Sequence, residues 1–354
     1  MRRYVLSVIQ GRRRGPGAWL LRGLLTAVSW VFAFLHGTRR LLYRLGVLRS
    51  VKFPCPVVSV GNLTAGGTGK TPLVEWLARW FGRKSYRVAV LARGYGRAAG
   101  AVKDDEDLLS EMALENVVRL AGADRVALGR RALADYRAEL LILDDGFQHY
   151  RVKRSLDIVA VDATCPFSNG RRIPAGLLRE GPEALKRAGL VILTRVDQAE
   201  PSALEELRRR VGPAVETVHK PVEVRGLANR KRYPLDWLRG RTVLGFCGTG
   251  NPDAFHRTLE SLGAQVAAFR SFPDHHAYSE RDVRRLDAEA QEFMAEALLT
   301  TEKDAIKLKA EGFSTPLLAL RIEIEVVRHE ELLEDRLMEL VRDIPRAAAA
   351  PVRR

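Results

Sequence analysis

The segment GNLTAGGTGKTP, Gly61 to Pro72, constrains this chain more than any other stretch. A phosphate cradle needs backbone N–H groups turned inward and residues without a Cβ where the chain curls tightly. Gly66, Gly67 and Gly69 supply that freedom, Lys70 a point charge for phosphate oxygens, and Thr71 a hydroxyl for Mg²⁺. Pro72 suits the first turn of a helix, where a missing N–H costs nothing. The apolar run PVVSV just upstream is the strand such a loop requires. One departure stands out: the Walker pattern G-x-x-x-x-G-K-[ST] places a glycine at 64, and the residue there is Thr64. That position accepts another residue if its backbone avoids a positive φ. The stretch therefore reads as a nucleotide-binding loop, with Thr64, Ala65, Gly66, Gly67, Thr68, Gly69, Lys70 and Thr71 as its contacts.

Around this loop the sequence alternates short β-rich runs with helical ones. PVVSVG (56–61), YRVAVLAR (86–93), ELLILDD (139–145), LDIVAVD (156–162) and LVILTR (190–195) are the strands, with helices such as 72–81 and 202–210 between or after them. Apolar strands alternating with helices imply a parallel sheet covered on both faces. Residues 214–242 are basic, interrupted by Pro221, Gly226 and Pro234, and read as a connector that contains a strand pair. A second α/β unit follows from TVLGFCG (242–248). The expected division is an interfacial segment (1–50), a P-loop domain (51–215), the connector (216–241), a smaller α/β domain (242–343) and a disordered tail (344–354).

The net charge of +15 suits an anionic partner: nucleic acid, an anionic membrane face or a phosphorylated substrate. Charge alone does not choose among them, and Arg-rich solvated faces produce the same balance. No nucleic-acid-binding motif with interleaved aromatics is present. Cys55, Cys165 and Cys247 are scattered and odd in number, which argues against a disulfide framework or a zinc site. The N-terminal region is unusual. Arg2, Arg3 and Arg12–Arg14 precede AWLLRGLLTAVSWVFAFLHGTRRLLYRLG, and Arg39, Arg40 and Arg44 close it. The uninterrupted apolar part, 23–35, falls short of the roughly 20 residues that span a bilayer. Basic flanks with Trp19 and Trp30 describe a helix lying in the headgroup region, with a signal peptide, a packed core helix and a single-pass anchor with snorkelling arginines as the alternative readings.

Further candidates surround the loop. In LDDGFQH, Asp144 and Asp145 sit at a strand end, where a P-loop enzyme holds its metal. DDED (104–107) follows the Gly-rich RGYGRAAG and offers a base for a substrate hydroxyl, or a helix N-cap cluster. FPDHH (272–276) places His beside Asp. NGRRIPAGLLRE mixes Arg171, Arg172, Arg179 and Glu180 with turn residues and suits an anionic ligand. TRVD (194–197) resembles the guanine-reading [NT]-K-x-D, but Arg195 replaces the lysine.

Together these stretches resemble the tetraacyldisaccharide 4′-kinase family: the N-terminal amphipathic segment, GNLTAGGTGKTP, RGYG, DDE (104–106), LDDGFQH, IPAGLLRE, GNPDAFHRTLESLG, FPDH and TTEKDA. The resemblance implies a P-loop NTPase-like parallel-sheet domain, a smaller second α/β domain and an N-terminal amphipathic membrane helix. It implies ATP- and Mg²⁺-dependent phosphorylation of the 4′-hydroxyl of an acylated disaccharide 1-phosphate, giving lipid IVA, at the cytoplasmic face of the inner membrane, with no nucleic-acid partner. By motif, Lys70 and Thr71 take the phosphate and metal roles. Asp144, Asp145 and Glu180 fall on the family's acidic metal and catalytic positions, and Asp105 on its base, paired with His275. Arg93, Tyr95, Gln148, His149, Arg171, Arg172 and Arg179 are the candidate substrate contacts. The family usually reads G-D-E where this chain has Asp104-Asp105-Glu106.

Overall fold

The computed structural model describes residues 8, 13, 15–93, 116–274, 276–342 and 344. By their contacts the residues fall into two units, one of 1–217 with 326–354 and one of 218–325.

The first unit is built on a parallel sheet. Its strands are β1 (Val57–Gly61), β2 (Val88–Ala92), β3 (Val117–Ala121), β4 (Leu140–Asp144), β5 (Leu156–Asp162), β6 (Leu190–Thr194) and the first residues of β7 (Val215–Gly226). Their order is β7–β6–β5–β1–β4–β2–β3, so the strand that feeds the glycine loop lies in the middle. Because side chains alternate along a strand, the two faces carry separate cores. Val58, Val60, Leu140, Ile142 and Ile158 pack on one side, against α2 (Lys70–Arg83) and α8 (Glu330–Val341). Val57, Leu141 and Leu143 meet α3 (Arg125–Tyr136) on the other, while Val159, Val161 and Leu193 meet α4 (Pro201–Val211). Leu73, Leu77 and Phe81 recur every fourth residue on α2 and are fully buried. Each such side chain contributes about 1.5–3 kcal/mol by leaving water, which anchors the helix that begins at Lys70.

Two features differ from the sequence-based expectation. The helix after the loop starts at Lys70 rather than at 72, so Lys70 and Thr71 stand on its first turn, where N–H groups have no intrahelical acceptor. The segment 326–343, expected in the second domain, belongs to the first unit. Leu333, Leu337 and Val341 form one apolar stripe of α8 and are buried in the first core, and Trp80 Nε1 donates to Glu334 at 3.2 Å. A helix goes where its apolar stripe finds a matching surface, and sequence adjacency does not decide that.

The second unit carries parallel strands in the order β10 (Gln265–Ser271), β9 (Thr242–Cys247), β11 (Ala297–Thr301), β12 (Leu317–Arg328). Helices α5 (Pro252–Ser261), α6 (Glu280–Glu292) and the short α7 (Glu302–Ala305) accompany them. The basic segment after residue 214 contains a strand pair: Val224 and Arg225 of β7 pair antiparallel with Tyr233 and Arg232 of β8 (Arg232–Tyr233). TTEKDA has an internal structural role. Asp304 is fully buried and accepts from Gly248 N at 2.8 Å, Thr301 Oγ1 at 2.9 Å and Lys307 Nζ at 2.9 Å, joining the ends of β9 and β11.

The N-terminal helix α1 (Pro16–Arg44) belongs to the first unit. Among the described residues it is long and apolar enough to cross a membrane by length and composition. Its outer face shows Trp19, Leu20, Trp30 and Phe34, each between 69% and 79% exposed. Its inner face is bonded to the domain. Ser29 Oγ lies 2.9 Å from Arg172 O and accepts from Ala175 N at 3.0 Å, and Arg40 pairs with Glu180 at 3.5 Å. A helix held to protein along one side and apolar along the other fits the plane of a lipid interface.

Candidate active site

The glycine loop is held by its carbonyls. Asn62, fully buried, donates from Nδ2 to Thr64 O at 2.7 Å and makes a longer 3.4 Å contact with Gly66 O. Arg195 NH1 donates to Gly67 O at 3.1 Å, and Thr194 Oγ1 donates to Thr68 O at 3.0 Å. The segment after Ile173 closes the remaining side: Ala65 N donates to Leu177 O and Arg179 N to Leu63 O, both at 2.7 Å. The conformational demand falls on Gly66 (φ 150°) and Gly69 (φ 78°), and Thr64 has no positive φ. That is the physical reason Thr64 can open the loop. Gly61 is needed for a different reason, because a Cβ there would collide with the backbone and Cβ of Phe147. This close approach brings LDDGFQH against the start of the loop.

Parallel pairing of β1 with β4 sets Asp144 beside Val60, one residue before the loop. Asp144 Oδ2 lies 3.5 Å from Arg119, which β3 contributes. Asp145 adopts φ 60°, a left-handed conformation uncommon for a residue with a Cβ. Its carboxylate accepts from Arg179 NH1 at 2.8 Å on both oxygens and faces Lys70 Nζ at 3.7 Å. Burial by itself would raise the Asp145 pKa, but Lys70 and Arg179 outweigh it and hold the carboxyl below its usual range. Two cations against one carboxylate leave a net positive charge beside the loop, the sign that attracts a polyphosphate.

The expected partners distribute unevenly. Among the described residues no three His, Cys, Asp or Glu side chains gather as a metal-ligating group. Glu180 makes contacts of a different kind from those of Asp144 and Asp145. It is buried in a separate cluster, bonded to Arg187 at 2.7 Å, Gln148 at 3.2 Å and Tyr150 at 3.4 Å, where its charge is already compensated. Gln148 also donates to Asn62 O at 3.0 Å, which ties this cluster to the root of the loop. His149 has its pKa lowered to about 4 by burial and by Arg125, Arg154 and Arg39, so it is neutral at pH 7. Arg172 pairs with Glu183 at 2.6 Å, Arg171 is exposed, and Arg93 is exposed just past β2. Tyr95, Asp104, Asp105 and Glu106, His275, most of the basic stretch before residue 15, and the tail beyond Ile344 lie outside the described residues. In FPDHH the described neighbours are engaged within the second unit: Asp274 pairs with Lys303 at 2.7 Å and His276 with Asp282 at 3.1 Å.

Sequence reading missed Asn62, Thr194 and Ser29. Their common signal is a small polar residue inside or at the end of an apolar run, buried in each case. TRVD was visible as a motif, but its arginine holds the loop's backbone rather than standing as a weak base-reading signature.

A family model described as LpxK, tetraacyldisaccharide-1-P 4′-kinase, matches residues 21–342. A tetraacyldisaccharide 4′-kinase of Anaeromyxobacter sp. (strain Fw109-5) is 40% identical over 357 residues, covering 94% of this chain and 96% of that protein. One from Syntrophus aciditrophicus (strain SB) is 38% identical, covering 88% and 94%. The crystal structure of LpxK from Aquifex aeolicus in complex with ATP superposes with a TM-score of 0.69 at 32% identity, covering 90% of this chain and 99% of that one.

Proposed function

Because the chain belongs to the tetraacyldisaccharide-1-phosphate 4′-kinase family, we propose that the loop at 61–72, Lys70 and Asp145 carry the phosphoryl transfer of this kinase from ATP to the 4′-hydroxyl of the acylated disaccharide 1-phosphate. The chain is a kinase of lipid A biosynthesis and a P-loop α/β protein that binds ATP. The observation that carries the site assignment is the convergence of Lys70 and Arg179 on Asp145 beside a loop whose carbonyls are tied outward.

The residues fit a nucleotide. With the carbonyls of Thr64, Gly67 and Thr68 held by the protein, the first turn of α2 offers its N–H groups to phosphate oxygens. Thr68 Oγ1 is buried with no protein partner, and a ligand oxygen would satisfy it. Lys70 binds the phosphate oxygens, while Asp145 holds Lys70 and Arg179 in place. The hydroxyl of Thr71 and the carboxylates of Asp144 and Asp145 are hard oxygen donors suited to Mg²⁺, which usually takes only one or two carboxylates beside phosphate and water. When bound, Mg²⁺ neutralises charge developing on the transferred group. Asp105 is assigned to the proton of the acceptor hydroxyl on sequence position.

We also place the enzyme peripherally on the cytoplasmic face of the inner membrane, where ATP is available and a lipid acceptor is reached by lateral diffusion. The exposed apolar face of α1, with Arg39, Arg40 and Arg44 at its end, supports that reading.

The test is transfer of label from γ-labelled ATP into the acylated disaccharide 1-phosphate by purified protein in mild detergent. Wild type should label the lipid. Lys70→Ala should lower kcat by about 100-fold or more, as expected for loss of a group that stabilises transferring charge. Nucleotide hydrolysis with no label in lipid would instead point to an NTPase that drives a partner.

A further inference from the structure

The TRVD segment stands outside the chemistry assigned above, yet it reaches the phosphate loop directly. We propose that Arg195, fixed by Asp162 and assisted by Thr194, is a positioning residue for the triphosphate: it holds the loop in its binding shape without touching the ligand. The proposal rests on the reading of residues 61–72 as the ATP loop.

Strand pairing brings these groups together. β5 neighbours β1, β6 neighbours β5, and Asp162 pairs in register with Thr194 at the strand ends that face the loop. The chain then turns at Arg195 through φ 56°, a left-handed conformation that costs energy for a side-chain-bearing residue. The turn directs the arginine back to the loop, where it is only 9% exposed. Its NH1 bonds Asp162 Oδ2 at 2.5 Å and Gly67 O at 3.1 Å. The other carboxylate oxygen, Asp162 Oδ1, accepts from Thr164 N at 3.0 Å and Thr164 Oγ1 at 2.7 Å, so the anchor is itself fixed.

The effect on the loop follows from peptide geometry. In a trans peptide the C=O and the next N–H point in opposite directions. Thr194 holds Thr68 O toward the protein, which sends the N–H of Gly69 the other way, next to Lys70 and the first turn of α2. Arg195 holds Gly67 O, while Thr68 N bonds back to Gly66 O at 3.2 Å. The tight turn at 66–68 is thus pinned on its outer side. Because Asp162 compensates the charge of Arg195, the contribution is one of shape rather than long-range attraction. It should therefore act on the phosphates and ignore the base, although the motif looks like one that reads guanine.

The experiment is calorimetric binding of ATP and, separately, of inorganic tripolyphosphate to the full chain, for wild type, Lys70→Ala, Arg195→Ala, Arg195→Lys and Thr194→Val. Each variant's melting temperature is recorded to confirm folding. Arg195→Ala should weaken both ligands by the same factor, about tenfold, the effect of losing one charge-assisted hydrogen bond. Arg195→Lys, which can still reach one carbonyl, should recover to within about threefold of wild type. Thr194→Val leaves the ion pair intact and should weaken both ligands by about threefold. At saturating ATP, kcat should stay within about twofold of wild type, the pattern of a residue that shapes binding only. Weakening of ATP with tripolyphosphate unaffected would overturn the proposal and assign Arg195 to the nucleobase. Wild-type binding in Thr194→Val, and in a folded Arg195→Ala, with Lys70→Ala weakened, would also overturn it. Unchanged binding in Lys70→Ala would instead remove the loop itself as the nucleotide site. If Arg195→Ala fails to fold, Thr194→Val and Arg195→Lys decide the matter.

Discussion

In the phosphate loop, the carbonyls of Thr64 and Gly66 accept from the side chain of Asn62 at the loop's own root, and those of Gly67 and Thr68 from Arg195 and Thr194 at the end of a neighbouring strand. In α1 the backbone satisfies itself, and Trp19, Leu20, Trp30 and Phe34 face outward. Residues 62–69 lie outside helix and strand, so the polar groups of their peptides, when buried, need partners that no regular ladder supplies. The helix needs none, and its side chains are free to meet an apolar medium. The same chain thus builds a polar site from borrowed hydrogen bonds and an apolar surface from a self-sufficient element. They meet at the 171–180 segment, which bonds the loop through Leu177 O and Arg179 N and bonds α1 through Arg172 O and Ala175 N.

Breaking the outer face of α1 should have the largest effect. Each exposed aromatic that enters lipid contributes about 1.5–3 kcal/mol. Trp30→Ser with Phe34→Ser should therefore cut partition onto anionic vesicles by about 100-fold or more, while the melting temperature hardly moves. Unchanged flotation with vesicles would remove α1 as the docking surface.

Breaking the loop's internal support should come next. Asn62→Leu removes the side-chain donor to Thr64 O, while Gly66 O keeps Thr68 N, at a cost of about 1–3 kcal/mol for a buried group left unpaired. Urea unfolding should shift accordingly and KM for ATP should rise, with vesicle binding as in wild type. A variant of full stability and unaltered KM would show that Asn62 is not a support of the loop.

The smallest effect sharpens the comparison, because it lies where the two regions join. Ser29→Ala removes the hydroxyl that bonds Arg172 O and Ala175 N, and should cost about 1 kcal/mol. Vesicle partition should be untouched, since Ser29 faces inward. Equal urea midpoints for variant and wild type would mean that α1 is held by its other contacts alone.

The two regions were legible in the sequence to different degrees. The strand, Gly66, Gly69 and Gly-Lys-Thr lie within one short stretch, and their meaning is local: a positive φ, a helix start, a charge. The apolar outer face of α1 is equally readable, being a property of one element. The supports of the loop were not readable. Nothing in the local spacing marks Asn62 as a support, and Arg195 stands in what resembles a mismatched base-reading motif. Nor were the contacts of Glu180 with Arg187, Gln148 and Tyr150 readable. The helix after residue 329 looked like the end of the second domain, and its leucines are buried in the first.

By itself, then, the sequence determined the phosphate loop, the parallel α/β character, the amphipathic first helix and the family, because each rests on spacing within a short stretch or on several motifs in order. Only the tertiary structure decided which side chains hold that loop, that Asp145 sits between Lys70 and Arg179, and that α1 is bonded to the domain along one side. Those contacts join residues far apart in the chain, such as Gly67 with Arg195 and Ser29 with Ala175. Strand order and register choose such partners, and neither is written in the local spacing of any one segment.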